Sequence, residues 1–148
     1  FYKAELAAGT VLPTSGTVFL SLADGDKPAG IVVAKRLRAL GFGIMATPGT
    51  ADYLSRFGYM VDAVVGKVSE GAKITAVNLI ASGEITFVIN TPQGRGGRTD
   101  GEAIRKAANV HRVCSVTTVE AALAAVQGMA EQIDHPLEVK SLQEYHGR

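Results

Sequence analysis

The chain has 148 residues, 47% hydrophobic and 20% charged, with 15 Lys+Arg against 14 Asp+Glu. That length suits one compact domain that buries roughly 68–70% of its unfolded surface without help from a disulfide or metal. Near-zero net charge argues against a broad basic nucleic-acid face. The single cysteine, Cys114, excludes an internal disulfide framework and a cysteine-based zinc site. No apolar run approaches the roughly 18–20 residues of a membrane span. No signal-peptide pattern is seen, and the first residue is Phe1 rather than Met, so the chain reads as a domain of something longer.

Residues 1–16 mix small and turn-forming residues, Thr10, Pro13, Thr14, Ser15 and Gly16 among them. They read as a linker ahead of a domain over 17–148. Thr17 to Leu22 is β-branched and apolar, a strand ended by the Asp24-Gly25-Asp26 turn. Lys27 to Leu40 is a helix: Ile31, Ala34, Leu37 and Leu40 recur at three- and four-residue steps. Asp26 is its expected N-cap and Gly41 its stop. Gly43 to Ala46 is a second strand, Thr47-Pro48-Gly49-Thr50 a turn and Ala51 to Phe57 a helix. Residues 59–65 give a third strand and 66–73 a loop. Ile74 to Ala81 is a weaker helix, ended by Ser82-Gly83, and Ile85 to Ile89 a buried strand. A glycine-rich loop fills 90–101, followed by a helix from Glu102 to Ala108 and a last strand from Val110 to Ser115. Thr118 to Gln127 is a helix with Thr117 as N-cap and Glu120 at the capping-box spacing.

Strands and helices alternate, and the strands are continuous apolar runs. That pattern argues for an α/β fold with a parallel sheet covered by helices on both faces. Ligands of such sheets bind beyond the carboxyl ends of the strands. The turn Thr47-Pro48-Gly49-Thr50 sits there and reads either as an ordinary helix cap or as an anion cradle. Lys27, after the first strand, reaches the same rim and adds weight to phosphate; alone it is a solvated helix-start lysine. Lys67 and Asn90 lie on two further strand-end loops, each readable as a plain loop or turn residue. Arg95 and Arg98 among glycines either close on an anion or stay solvated. Gly41-Phe42-Gly43-Ile44-Met45-Ala46 fits G-x-G-x-x-A but precedes a strand, so the dinucleotide mechanism is missing. His111, His135 and His146 have no partners at metal or triad spacing. No two of Asp62, Glu70, Asp100 and Glu102 pair for acid–base work.

The segments Phe19-Leu20-Ser21-Leu22 with Gly25-Asp26-Lys27, Ala46-Thr47-Pro48-Gly49-Thr50 and Gly66-Lys67-Val68-Ser69-Glu70-Gly71 carry a family pattern. So do Ile89-Asn90-Thr91 with Gly94-Arg95, Ala103-Ile104-Arg105-Lys106-Ala107-Ala108, Thr117-Thr118 and the closing Ser141-Leu142-Gln143-Glu144-Tyr145-His146. In this order they resemble the carboxyl-terminal regulatory domain of the carbamoyl phosphate synthetase large subunit, over about nine tenths of the chain. The resemblance implies a methylglyoxal-synthase-like fold, a three-layer α/β/α sandwich around a five-stranded parallel sheet. It implies an allosteric domain without chemistry of its own, binding UMP or IMP and contributing to an ornithine site. Lys27, Thr47, Gly49 and Thr50 would then hold the phosphate. Lys67 and Asn90, with Ser21 nearby, would lie along the ribose and base, and Thr117 would reach towards ornithine. The implied parent is a cytoplasmic, glutamine-hydrolysing, ATP-dependent ligase of pyrimidine and arginine biosynthesis. It would use Mg or Mn and K and pair with a glutaminase small subunit. The domain itself would need no cofactor, metal, nucleic acid or membrane. Two positions depart from the family: Pro92 stands where a hydroxyl is common, and Ser115 where an aromatic is. The rival within the fold, a methylglyoxal synthase acting on dihydroxyacetone phosphate, carries a His-Asp-Pro-Asp run. This chain has Thr99-Asp100-Gly101-Glu102 in that place.

Overall fold

The structure, a computed structural model, describes residues 12–66, 73–92 and 98–135, with the backbone alone for 98–100. Strands and helices alternate in it: β1 (Thr17–Ser21), α1 (Lys27–Ala39), β2 (Gly43–Ala46), α2 (Pro48–Arg56), β3 (Ala63–Val64), α3 (Ala76–Ser82), β4 (Ile85–Asn90), α4 (Arg98–Val110), β5 (Cys114–Val116) and α5 (Val119–Asp134). A short 3-10 turn, Asp24–Asp26, leads into α1. The strands form one parallel sheet in the order β3-β2-β1-β4-β5. The chain thus winds outward from β1 to β3, returns to β4 beside β1, and winds outward again. That reversal opens a crevice between the carboxyl ends of β1 and β4. The register sets Ser21 opposite Asn90 at its mouth.

Successive side chains leave a strand on opposite faces. Val18, Leu20, Ile44, Phe87 and Ile89 pack with Val33, Leu37, Leu54, Val126 and Met129, beneath α1, α2 and α5. Phe19, Ile85 and Val88 pack with Ala76, Ile80 and Ile104, beneath α3 and α4. The sheet is apolar on both faces, hence the unbroken apolar runs and the three-layer α/β/α sandwich. Leu12 is 2% exposed and joins the first cluster, so the core reaches back ahead of β1. No helix among the described residues is long and apolar enough to cross a membrane.

Several boundaries move from those the sequence predicts. β3 is two residues long, not seven. It is an edge strand that pairs only through Met45 and Ala46, while Tyr59 and Val61 pack on the core outside the ladder. α2 starts at Pro48 rather than Ala51, because proline at the first helical position has no N–H to lose and already has the helical φ. α3 starts after Thr75, whose capping box with Asn78 leaves Ile74 outside and exposed. α4 runs from Arg98 through Val110, so Val110 belongs to a helix. Arg112 then turns the chain at φ 55, and β5 starts only at Cys114. α5 continues past Gln127 to Asp134 because Gly128 and Met129 are buried. Its cap is Thr118, not Thr117: the Thr118 hydroxyl accepts the Ala121 N–H at 3.0 Å. Asp26 makes no side-chain cap, being part of the 3-10 turn, whereas Gly41 ends α1 at φ 90 as expected.

Asp62 fastens α1 to the sheet. Its carboxylate accepts Arg38 Nη1 at 2.9 Å and the Ile44 N–H at 2.8 Å. These donors, Arg38 first, hold its pKa below the usual carboxylate range. A lowered folded pKa contributes stability that is present above the unfolded value, about 3.9, and is lost as pH falls through the folded value. Asp62→Ala should therefore cost about 1 kcal/mol at neutral pH, discounted because the side chain is half exposed. Urea unfolding checks this, and the gap to the parent chain should close in acid.

Candidate functional site

Three adjacent strands, β2, β1 and β4, end at one rim. The loop leaving β1 is clamped there from both sides. On the β2 side the Thr50 hydroxyl oxygen accepts the Leu22 N–H at 3.0 Å and sits 3.2 Å from the Thr47 hydroxyl. On the β4 side the Thr91 N–H donates to Ser21 O at 2.9 Å, and the Thr91 hydroxyl oxygen accepts the Ala23 N–H at 2.8 Å. Thr47, Thr50 and Thr91 are 4%, 1% and 1% exposed, so this polar shell is built in.

The clamp has a consequence for α2. Thr47 is its N-cap residue, yet the Thr47 side chain makes no capping bond. Pro48 has no N–H. The N–H groups of Gly49 and Thr50 in the first turn therefore lack both an intrahelical acceptor and a side-chain cap. Such a helix end attracts an anion through its donors and its dipole. Lys27 lies against the same turn: a Cβ on Gly49 would stand 3.2 Å from Lys27 Nζ. Glycine is what lets the ammonium come so close. The Lys27 side chain is only 13% exposed, and its Nζ meets Asp24 Oδ1 at 2.6 Å. That contact holds the Asp24 carboxyl below its usual range. Gly49→Ala should displace the ammonium, and a phosphate that binds at this turn should then bind several-fold more weakly. Alanine is the better helix former, so thermal stability should hold or rise by up to about 1 kcal/mol. Phosphate titration beside a melting curve separates the two effects.

At the mouth of the crevice, Ser21 and Asn90 are 6% and 7% exposed. Asn90 is held close to α4: a Cβ on Gly101 would lie 3.2 Å from Asn90 Nδ2 and 3.5 Å from Arg105 Nη1. No side-chain hydrogen bond joins the Asn90 carboxamide to another described residue.

The structure thus brings six expected residues, Ser21, Lys27, Thr47, Gly49, Thr50 and Asn90, to one rim. Lys67 and Arg95 lie outside the described residues, as does the Arg98 side chain. Thr117 stands one strand away. It lines a separate cleft of about 270 Å³ with Arg105, Asn109 and Ser115. Buried Ser115 Oγ has no hydrogen-bond partner among the described residues. Three residues of the rim were not singled out from sequence: Asp24, Thr91 and Arg105. Thr91 left one signal, a hydroxyl directly behind a buried apolar run. Asp24 left another, an acid three residues ahead of a lysine at a helix start. Elsewhere, Cys114 is buried in the core as expected, while His111 sits exposed in the turn after α4 instead of opening a strand. The G-x-G-x-x-A pattern runs into β2 with no helix start behind its glycines. No His, Cys, Asp and Glu cluster with metal-site geometry occurs among the described residues.

A parallel five-stranded sheet with this strand order, covered by helices on both faces, defines a class, and comparison with known proteins gives it a name. The MGS-like domain family matches residues 30–117, and the chain belongs to it. Over 99% of its length the chain is similar to carbamoyl phosphate synthase large chains. It is 42% identical to that of Archaeoglobus fulgidus and 46% identical to that of Myxococcus xanthus. It is 44% identical to the "Carbamoyl phosphate synthase large chain, C-terminal section" of Methanopyrus kandleri. The chain spans 14%, 13% and 27% of the lengths of these three relatives.

Proposed function

We propose that this domain is the effector-binding module of a carbamoyl phosphate synthase large chain, and that its rim takes the phosphate of a nucleoside monophosphate. One observation carries the reading: the Lys27 ammonium rests against the uncapped first turn of α2. A phosphate placed there accepts from Lys27 Nζ, from the Gly49 and Thr50 N–H groups and from the Thr47 hydroxyl. Ser21 and Asn90, at the mouth of the crevice, face the ribose and base, and Lys67 joins them. UMP and IMP are the candidate effectors. Thr117, whose hydroxyl is not needed to cap α5, contributes to an ornithine site in the cleft with Ser115. The domain does no chemistry itself. It biases an ATP-dependent, glutamine-hydrolysing parent by a coupling of about 1–3 kcal/mol between effector-bound states.

Calorimetry of this chain with UMP, IMP and inorganic phosphate tests the reading. Saturable binding of a monophosphate, competed by phosphate, supports it. No heat and no thermal shift at millimolar ligand would overturn it. Release of methylglyoxal from dihydroxyacetone phosphate would replace it with the lyase reading.

A further inference from the structure

The Lys27 ammonium occupies an unfavourable place. The N-terminus of a helix carries a partial positive charge, and Lys27 Nζ lies within contact distance of the position a Gly49 side chain would take. The lysine stem is largely buried. Two positive groups held together this way call for an anion. Among the described residues one carboxylate supplies it: Asp24 Oδ1, 2.6 Å from Nζ. Asp24 itself is built to leave. Its side chain is 91% exposed, it sits in a 3-10 turn, and Lys27 is its one ion-pair partner among the described residues. An ion pair with one partner so exposed adds little to stability.

We propose that Asp24 is an internal counter-ion that holds Lys27 against the first turn of α2 and is displaced by the ligand's phosphate, so that it sets how tightly the rim binds. This rests on the phosphate reading above and adds to it a residue that works against the ligand. A phosphate approaching Lys27 must break the Asp24 contact and tolerate its negative charge. Removing that charge should tighten binding. Asp26, two residues on in the same turn, makes no ion pair among the described residues and serves as the control for charge in general.

The test titrates inorganic phosphate and UMP into the parent chain, Asp24→Asn and Asp26→Asn, with melting curves beside each. Asp24→Asn should bind both ligands about two- to fivefold more tightly, and Asp26→Asn should match the parent. Parent and Asp24→Asn binding equally, or Asp24→Asn binding more weakly, overturns the counter-ion and leaves the rim standing. Equal tightening in both variants also overturns it, since bulk charge then explains the effect. Phosphate that binds none of the three overturns the rim, and the counter-ion with it.

Discussion

Lys27→Met should weaken binding of UMP and of inorganic phosphate about tenfold to a hundredfold and leave the unfolding midpoint nearly unchanged. The binding loss follows from the bond removed. An ammonium–phosphate hydrogen bond carries full charge on both sides, and such bonds are worth about 1.5–3 kcal/mol net; each 1.4 kcal/mol is a factor of about ten in affinity. The unfolding result follows from where the rest of the side chain lies. Only the Nζ end meets a partner, the exposed Asp24, and that pair adds little to stability. Methionine keeps an unbranched stem of similar length in the largely buried slot. Lys27→Arg should not restore full affinity. The guanidinium is a wide, planar fork, whereas the ammonium is a compact point charge that stands 3.2 Å from where a Gly49 Cβ would lie. Parent-like affinity in Lys27→Met would place the phosphate elsewhere on the domain. A collapsed midpoint would make Lys27 a structural residue. Isothermal titration and thermal unfolding of the same samples decide between these outcomes.

The layered architecture was readable because the physics behind it is local. Buried parallel strands need apolar side chains on both faces, so Val18 to Leu20 and Phe87 to Ile89 announce themselves as runs. Helix faces recur at three and four residues, which placed α1 to within a residue of its end. What local pattern could not supply was competition between neighbours. The run at 59–65 has strand composition throughout, yet only Ala63 and Val64 find a partner in β2. Thr117 and Thr118 both offer a capping hydroxyl, and the backbone decides for Thr118. The rim divides the same way. Lys27, Thr47, Gly49 and Thr50 could be placed at one rim because each stands just beyond the end of a strand in the predicted alternation. The strand order made Ser21 and Asn90 register partners, which no spacing in the sequence reveals. The roles of Asp24, Thr91 and Arg105 needed coordinates for a simpler reason: an exposed acid, a buried threonine and a helix arginine are each ordinary until their neighbours are known.

Phe87→Ala should be the mirror image of Lys27→Met, a large loss of stability with binding intact. Phe87 is fully buried at the centre of β4 and stands between Val18 of β1 and Cys114 of β5 in the register. It belongs to the larger core cluster, under α1 and α5. Truncating a buried phenylalanine to alanine costs about 3–5 kcal/mol, from lost transfer energy and the cavity left behind. A domain of this size has about 5–15 kcal/mol in total, so the urea midpoint should fall by roughly a fifth or more. Phe87→Leu keeps most of the volume and should cost about 1–1.5 kcal/mol. The proposed phosphate contacts lie elsewhere, on the turn into α1 and the first turn of α2. At low temperature, where enough Phe87→Ala chain is folded, the affinity of that folded fraction for inorganic phosphate should match the parent. Phosphate should also raise the variant's midpoint by the same free energy as the parent's, because a ligand that binds only the folded state stabilises by RT ln(1 + [L]/Kd) whatever the starting stability. A folded Phe87→Ala fraction with weakened phosphate binding would show instead that the packing of β4 and the geometry of the rim are coupled, and that the anion site depends on the core beneath it as well as on the turn that forms it.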